Sequence, residues 1–174
     1  AAQVGGRNAA IVCNGYKFDT GPTFLMMKFI LDEVFEEAGR NINDYLKPVK
    51  LEPMYRLQFK DVRLEPTTER EAMLQQIDQA FPGNRDGFDR FMKTEKQRFE
   101  LMYPCLQKEY SNLSQYFSRD FIKALPKLSL GRPLMGVLGN YFKDDKLKQS
   151  FTFQSKHLGM SAWDCPGAFA ILPY

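Results

Sequence analysis

Two glycines, an arginine, a strand and a tight turn follow one another within residues 4–23, and no other stretch constrains the fold as strongly. Gly5-Gly6-Arg7 sets two residues without side chains beside a guanidinium. Backbone can then come close to a pyrophosphate while the Arg pairs with its oxygens. The same triplet also reads as a plain surface turn. The apolar run Ala9-Ala10-Ile11-Val12-Cys13 leads to Asn14-Gly15, a pair that accepts positive φ at both central positions of a two-residue hairpin loop. Tyr16-Lys17-Phe18 returns as the second strand, and Asp19-Thr20-Gly21-Pro22-Thr23 forces a sharp bend from which a helix can start. Asp19 is expected to fix that bend by accepting nearby backbone N–H groups.

The remaining chain reads as α+β, helices packed on a small antiparallel sheet. From Phe24 the spacing turns helical: Met27, Ile30, Leu31, Val34, Phe35 and Ala38 share one face. Gly39 stops that helix, which is expected to face a core. Between Val49 and Glu65, Tyr55, Leu57 and Phe59 alternate with Arg56 and Gln58, Lys60-Asp61 turns the chain, and Val62-Arg63-Leu64 returns. Thr68 and Glu71 have capping-box spacing ahead of a helix carrying Met73, Leu74, Ile77 and Phe81. Pro82-Gly83-Asn84 breaks it. A further helix is expected from Asp86 to about Glu109, with Phe88, Met92, Phe99, Met102 and Leu106 inward and Pro104 kinking or dividing it. Arg90, Lys93, Lys96 and Arg98 read as its solvated face.

Composition narrows the function. A chain of 174 residues with 44% apolar and 14% aromatic content can build one core. Eight Met and fifteen Phe suit large, flexible apolar partners as well as ordinary core filling. A net charge of +3 gives no case for nucleic acid. Cys13, Cys105 and Cys165 are far apart with no Cys-x-x-Cys pair, which suits free thiols in a reducing, cytoplasmic setting. His157 is the single histidine, so a metal centre and a His-based triad are not expected. No apolar run approaches the roughly 18 residues that cross a bilayer, so membrane contact would be peripheral.

Two later stretches stand out. Residues 121–143 interleave Phe121, Ile122, Leu125 and Leu130 with Lys123, Lys127, Arg132 and Lys143, and no acid falls between Asp120 and Asp144. Such a segment can lie in an anionic membrane interface; equally, it can be a packed helix pair interrupted by Pro126, Gly131 and Pro133. Residues 151–166 carry aromatics, the Gly159-Met160-Ser161 turn and Trp163. They suit the wall of an apolar tunnel, or a helix, turn and helix packed into the core.

Taken in order, Gly-Gly-Arg, the strand, Asn-Gly and Phe18-Asp19-Thr20-Gly21-Pro22 resemble the carotenoid desaturases of the phytoene and diapophytoene desaturase type, FAD-dependent amine-oxidase-like flavoproteins. Met54-Tyr55-Arg56-Leu57, Ala124-Leu125-Pro126, Tyr141-Phe142-Lys143-Asp144, and the run from Phe151 to Ser161 look like further landmarks in the family's order, so the resemblance spans the chain. It implies FAD as cofactor, with Gly5, Gly6, Arg7 and Gly21 in contact with it. It also implies a long isoprenoid polyene as substrate, lined by Gln154, Ser155, Gly159 and Met160. Hydride transfer to flavin would introduce double bonds, with a quinone or oxygen as final acceptor. The basic segment then becomes a peripheral membrane surface carrying Lys123, Lys127 and Arg132.

The resemblance implies a division at residue 23: residues 1–23 as a remnant of the FAD domain and 24–174 as an incomplete substrate and membrane-binding domain. No Gly-x-Gly-x-x-Gly follows a strand and no Met opens the chain, so an internal segment of a longer enzyme, binding FAD poorly by itself, is expected. Lys156-His157 and Ala162 depart from the family's pattern, and so does Gln115. Some relatives have an acid followed by an aromatic near Ser114-Gln115-Tyr116, and an amide is no general acid or base. Asp120 either compensates or caps the next helix, the cap being favoured, and no catalytic residue is assigned. A carotenoid isomerase or an oxidase acting on a terminal methyl would share nearly every landmark, and the segment by itself also reads as a non-catalytic module binding apolar ligands or membranes.

Overall fold

The computed structural model describes residues 5–21 and 24–174, and of Arg7, Gln154 and His157 the backbone only. Packing divides the chain into two compact units, residues 1–49 and 50–174. Helices with two small antiparallel sheets make the α+β class expected from the sequence.

In the first unit β1 (Ile11–Cys13) pairs antiparallel with β2 (Tyr16–Phe18), with Ile11 opposite Phe18 and Cys13 opposite Tyr16. Asn14 and Gly15 take φ of 51° and 81°, the two positive values that a type I′ loop requires. The tie across the base of the hairpin is Thr20, whose Oγ1 donates to the Ala9 carbonyl (3.3 Å). Asp19 pairs with Lys17 at 3.8 Å, both exposed, and the Pro22-Thr23 part of the bend that it was expected to fix lies outside the described residues. Helix α1 (Lys28–Glu37) begins later than its periodicity suggests, because Met27 has φ 53°, which no α-helix continues. Its C-terminus closes as a Schellman motif: Gly39, at φ 66°, donates to the Glu36 carbonyl (2.9 Å) and Arg40 to the Phe35 carbonyl (2.8 Å). The core-facing expectation for α1 fails. Ile30 and Val34 are exposed, and Phe35 meets Tyr45 with ring centroids 5.4 Å apart. The apolar stripe is present in the sequence, but stripe alone does not supply a layer to cover it.

The second unit holds the core. β3 (Leu57–Gln58) and β4 (Arg63–Leu64) form the second hairpin, with Leu57 opposite Leu64 and the Phe59 N–H bonded to the Val62 carbonyl (2.9 Å) around Lys60-Asp61. Gln76 grips β4 from α2 (Arg70–Ala80): its amide accepts from the Glu65 N–H and donates to the Glu65 carbonyl, each at 2.9 Å. The capping box does not form. Glu69 is the N-cap, so Glu71 falls one position short of N3; Thr68 instead accepts from Lys50 and donates to Glu52.

Met73, Leu74, Ile77 and Phe81 are buried as their spacing demands, and Gly83 at φ 80° makes the break. Helix α3 (Arg85–Leu106) runs through Pro104 and ends two residues beyond it, with Leu106 exposed rather than inward. Around Phe91 stand Phe88, Phe142 and Phe151; the Phe142 and Phe151 rings stack at 4.9 Å. Helices α4 (Arg119–Ala124), α5 (Leu134–Leu138) and α6 (Asp145–Ser150) complete the layer with Leu134, Val137, Leu138 and Leu147 inward.

Candidate functional site

The Gly-Gly-Arg triplet forms one 3-10 turn, Gly6–Asn8. Gly5 and Gly6 have φ of 116° and 52°, so both positions exploit the freedom of glycine. The Asn8 N–H bonds the Gly5 carbonyl at 2.8 Å and the Ala9 N–H the Gly6 carbonyl at 3.2 Å. Both glycines are exposed, and a Cβ placed on Gly6 would meet no atom within 4 Å, which leaves this backbone open to approach by a ligand. Gly21 lies in a half-buried bend after β2. The Arg7 side chain and the Pro22-Thr23 part of the turn lie outside the described residues.

Of the four residues assigned to the polyene, Ser155, Gly159 and Met160 gather on one short turn. A 3-10 segment, Phe153–Leu158, ends in Gly159 at φ 64°, whose N–H donates to the Lys156 carbonyl (3.0 Å). Ser155 is buried, and its hydroxyl is spent on the Thr152 carbonyl (2.8 Å). Gly159 and Met160 are exposed, as is Trp163. Phe153 stacks on Tyr55 (4.9 Å), which joins this turn to the Met54-Tyr55-Arg56-Leu57 landmark. The Gln154 side chain lies outside the described residues.

The basic segment is mixed in character. Lys123 is exposed, Lys127 half-buried, and Arg132 exposed but bonded through Nη2 to the Gly136 carbonyl (3.0 Å) and to Asn140 (3.2 Å). Leu134, Val137 and Leu138 go to the core, while Ile122, Leu125 and Leu130 stay in solvent, Leu130 at 69%. A cavity of about 280 Å³ lies nearby, lined by Lys108, Glu109, Tyr110, Gln115 and Ser118.

Gln115 acts there as a local cap, accepting the Asn112 N–H at 2.9 Å. Asp120 does not cap α4. Ser118 is the N-cap, its hydroxyl accepting the Phe121 N–H at 3.4 Å, and Asp120 sits in the first turn paired with Lys108. That pairing lowers the Asp120 pKa and raises that of Lys108. Burial raises the Tyr110 pKa, and the Cys105 thiol beside its hydroxyl adds to the rise.

Sequence reasoning missed the most unusual pair in the chain. Glu95 and Arg98 of α3 are 0% and 3% exposed, where Arg98 was expected on a solvated face. Arg98 Nε lies 3.1 Å from Glu95 Oε2, but among the described residues neither carboxylate oxygen nor Nε has a partner in hydrogen-bond geometry. Arg98 Nη1 donates to the Gly167 carbonyl (2.9 Å) and Nη2 to the Ser129 hydroxyl (3.0 Å). Burial outweighs the attraction of Arg98 and raises the Glu95 pKa from 4.5 to about 7. The signal was present: Phe88, Phe91, Glu95, Arg98, Met102 and Cys105 recur at steps of three and four along one face.

Among the described residues no three His, Cys, Asp or Glu side chains gather as a metal set, and no helix is long and apolar enough to cross a membrane. No family model matches the chain. Known proteins do. A 4,4'-diapophytoene desaturase (4,4'-diapolycopene-forming) of Methylomonas sp is 46% identical over 173 residues, 99% of this chain and 34% of that protein. A 4,4'-diapolycopen-4-al dehydrogenase of Metabacillus indicus is 29% identical over 174 residues, 99% of this chain and 35% of that protein. A zeta-carotene-forming phytoene desaturase of Myxococcus xanthus is 27% identical over 172 residues, 98% of this chain and 33% of that protein. The chain spans about a third of the length of these relatives. The similarity to these proteins covers 98–99% of the chain, and the chain belongs to the carotenoid desaturase family.

Proposed function

We propose that this chain is part of an FAD-dependent desaturase that introduces double bonds into a carotenoid precursor. The observation that carries the reading is 46% identity over 173 residues to a protein named as a diapophytoene desaturase. FAD, when bound, supplies the acceptor for the hydride that leaves a saturated C–C unit as the neighbouring proton is lost, with a quinone or oxygen taking the electrons afterwards. The side-chain-free turn of Gly5 and Gly6, open at Gly6, fits an approaching diphosphate. Arg7 is assigned to its oxygens and Gly21 to close approach of the chain. Gln154, Ser155, Gly159 and Met160 are assigned to the polyene, where the protein's work is to align the chain and keep water out.

In this reading residues 1–23 belong with the FAD domain and residues 24–174 with the substrate domain, and the segment of Lys123, Lys127 and Arg132 meets a cytoplasmic membrane surface peripherally. The exposed Ile122, Leu125 and Leu130 beside Lys123 support that last assignment.

The test is product analysis of the longer protein with a C30 or C40 polyene precursor, by chromatography and absorbance. A lengthened conjugated system is the expected result. Unchanged conjugation with altered geometry would make it an isomerase, and an oxygenated chain end an oxidase; either overturns the desaturase reading. The 174-residue chain alone is expected to bind FAD weakly, and tight stoichiometric binding refutes that part.

A further inference from the structure

Helix α3 carries one fully buried acid, Glu95, one turn from the buried base Arg98, and the geometry gives the pair a purpose beyond filling space. The Arg98 guanidinium reaches two segments far from it in sequence, the loop at Ser129 and the 3-10 turn Gly167–Ile171. Those two are themselves joined. The Gly167 N–H donates to the Arg132 carbonyl (2.8 Å), the Leu134 N–H to the Cys165 carbonyl (2.8 Å), and Pro133 and Pro166 form an isolated antiparallel bridge. Gly167 has no room for more: a Cβ there would lie 2.5 Å from Val137 Cγ2 and 2.8 Å from the Arg132 carbonyl. Arg98 is therefore the point at which α3, the loop before α5 and the last turn of the chain are pinned together.

The carboxylate side of the pair is under-provided. An ionised carboxylate accepts several hydrogen bonds and a buried one without donors is costly, whereas the protonated acid carries no charge to solvate. Among the described residues, neither Glu95 oxygen has a donor in hydrogen-bond geometry.

We propose that Glu95 and Arg98 form a proton-stabilised clasp that fastens the loop at Ser129 and the turn Gly167–Ile171 to helix α3. On the segment around Ser129 the charges are Lys127, half-buried, and Arg132, engaged by the Gly136 carbonyl and Asn140. The turn Gly167–Ile171 carries none, and the Ser129 hydroxyl and Gly167 carbonyl do not titrate in the relevant range. On α2, packed against α3, Arg70 is held by Asp89 and Glu71, and Asp78 by Arg85. On α4, Asp120 is held by Lys108, while Arg119 and Lys123 are exposed. On α3 itself Lys96 pairs with Glu100 and Lys93 is exposed. What acts on the Glu95 carboxyl is burial, opposed by Arg98.

The direction follows from linkage. The closed clasp holds its proton up to about pH 7, whereas an opened, hydrated Glu95 would release it near 4.5. Closing is favoured most below 4.5, and that advantage is lost as pH rises to about 7 and is level above it.

Hydrogen exchange of the whole chain between pH 5 and 8, corrected for intrinsic rates, reads this at Gly167–Ile171 and Leu134. Protection in the unaltered chain is expected to fall by up to about tenfold per pH unit between 5 and 7, then level off. E95Q, neutral at every pH, is expected to remove that dependence. A histidine titrates in the same range, so the difference between E95Q and the unaltered chain decides the matter. Equal pH dependence in both, or none in either, overturns the clasp. If E95Q does not fold, carbon-13 titration of the Glu95 carboxyl in the unaltered chain settles it. A midpoint near 7 supports the proposal, and one near 4.5 overturns it.

Discussion

At the scale of single residues, space and charge make separable demands. Gly87 of α3 faces the Tyr141 carbonyl so closely that a Cβ would sit 2.1 Å from its oxygen, and Gly167 is nearly as tight. Gly→Ala at an exposed helix site is stabilising by helix propensity; here the clash decides. Gly167→Ala is expected to cost about 1–3 kcal/mol, and Gly87→Ala at least as much, because backbone has to move. Thermal unfolding checks this, at roughly 2–4 °C for each kcal/mol in a chain of this size.

Carboxyls set two opposed pH slopes. Glu65, held by Arg56 and Arg63, and Asp61, held by Lys146, have lowered pKa values. Their pairing is present above the ordinary carboxylate range and is lost as pH falls below it. Glu95 has its pKa raised, and its share of stability is present below pH 4.5 and gone by about pH 7. Urea unfolding at pH 5 and pH 8 is expected to show a larger loss of stability with rising pH for the unaltered chain than for E95Q. The difference is of the order of 1–3 kcal/mol.

Among the elements, those with a local code were legible and those needing a partner were not. Asn14-Gly15 dictated a hairpin because two positive φ values are a property of two residues. The α2 stripe of Met73, Leu74 and Ile77 also went where its period sent it. The α1 stripe has the same period and is left in solvent, since periodicity says which residues share a face and nothing about what covers it. Lysine and arginine on α3 looked alike in the sequence, yet Arg98 turned inward because a carbonyl and a hydroxyl from distant segments await it. Of the candidate site, the Gly5-Gly6 turn and the glycine stop at Gly159 were visible as backbone requirements. The exposure of Met160 and the self-satisfied hydroxyl of Ser155 were not, being products of packing.

Asn84 shows the same limit. Read as part of a helix break, it is a buried bridge, its Nδ2 donating to the Phe81 carbonyl (3.0 Å) and its Oδ1 accepting the Lys143 N–H (2.9 Å). Asn84→Ala strands that buried N–H and is expected to cost about 1–3 kcal/mol. Asn84→Asp, which keeps the acceptor, is expected to recover part of it in the same unfolding assay. Phe91→Ala opens the centre of the ring cluster and is expected to cost about 3–5 kcal/mol.

For the whole molecule, the proposed membrane contact makes quantitative demands on the basic segment. Two physical terms bear on residues 119–132. Apolar side chains left in water, Ile122, Leu125 and Leu130, recover the hydrophobic free energy of burial, about 25 cal/mol per Å², only if something apolar receives them. Lysines near an anionic surface add about 1 kcal/mol each, screened by salt. Lys123, exposed, contributes most, Lys127, half-buried, in part, and Arg132 least, since Gly136 and Asn140 already engage it. Sedimentation with vesicles containing phosphatidylserine is therefore expected to carry the protein down, with Lys123→Glu releasing more of it than Arg132→Glu and the triple change releasing most. Binding should weaken as salt rises from 50 to 300 mM without vanishing, because the apolar term is not screened. Ile122→Ser with Leu130→Ser should remove the salt-resistant part. Sedimentation indifferent to all of these changes, or equal on neutral vesicles, would place the membrane contact elsewhere in the protein.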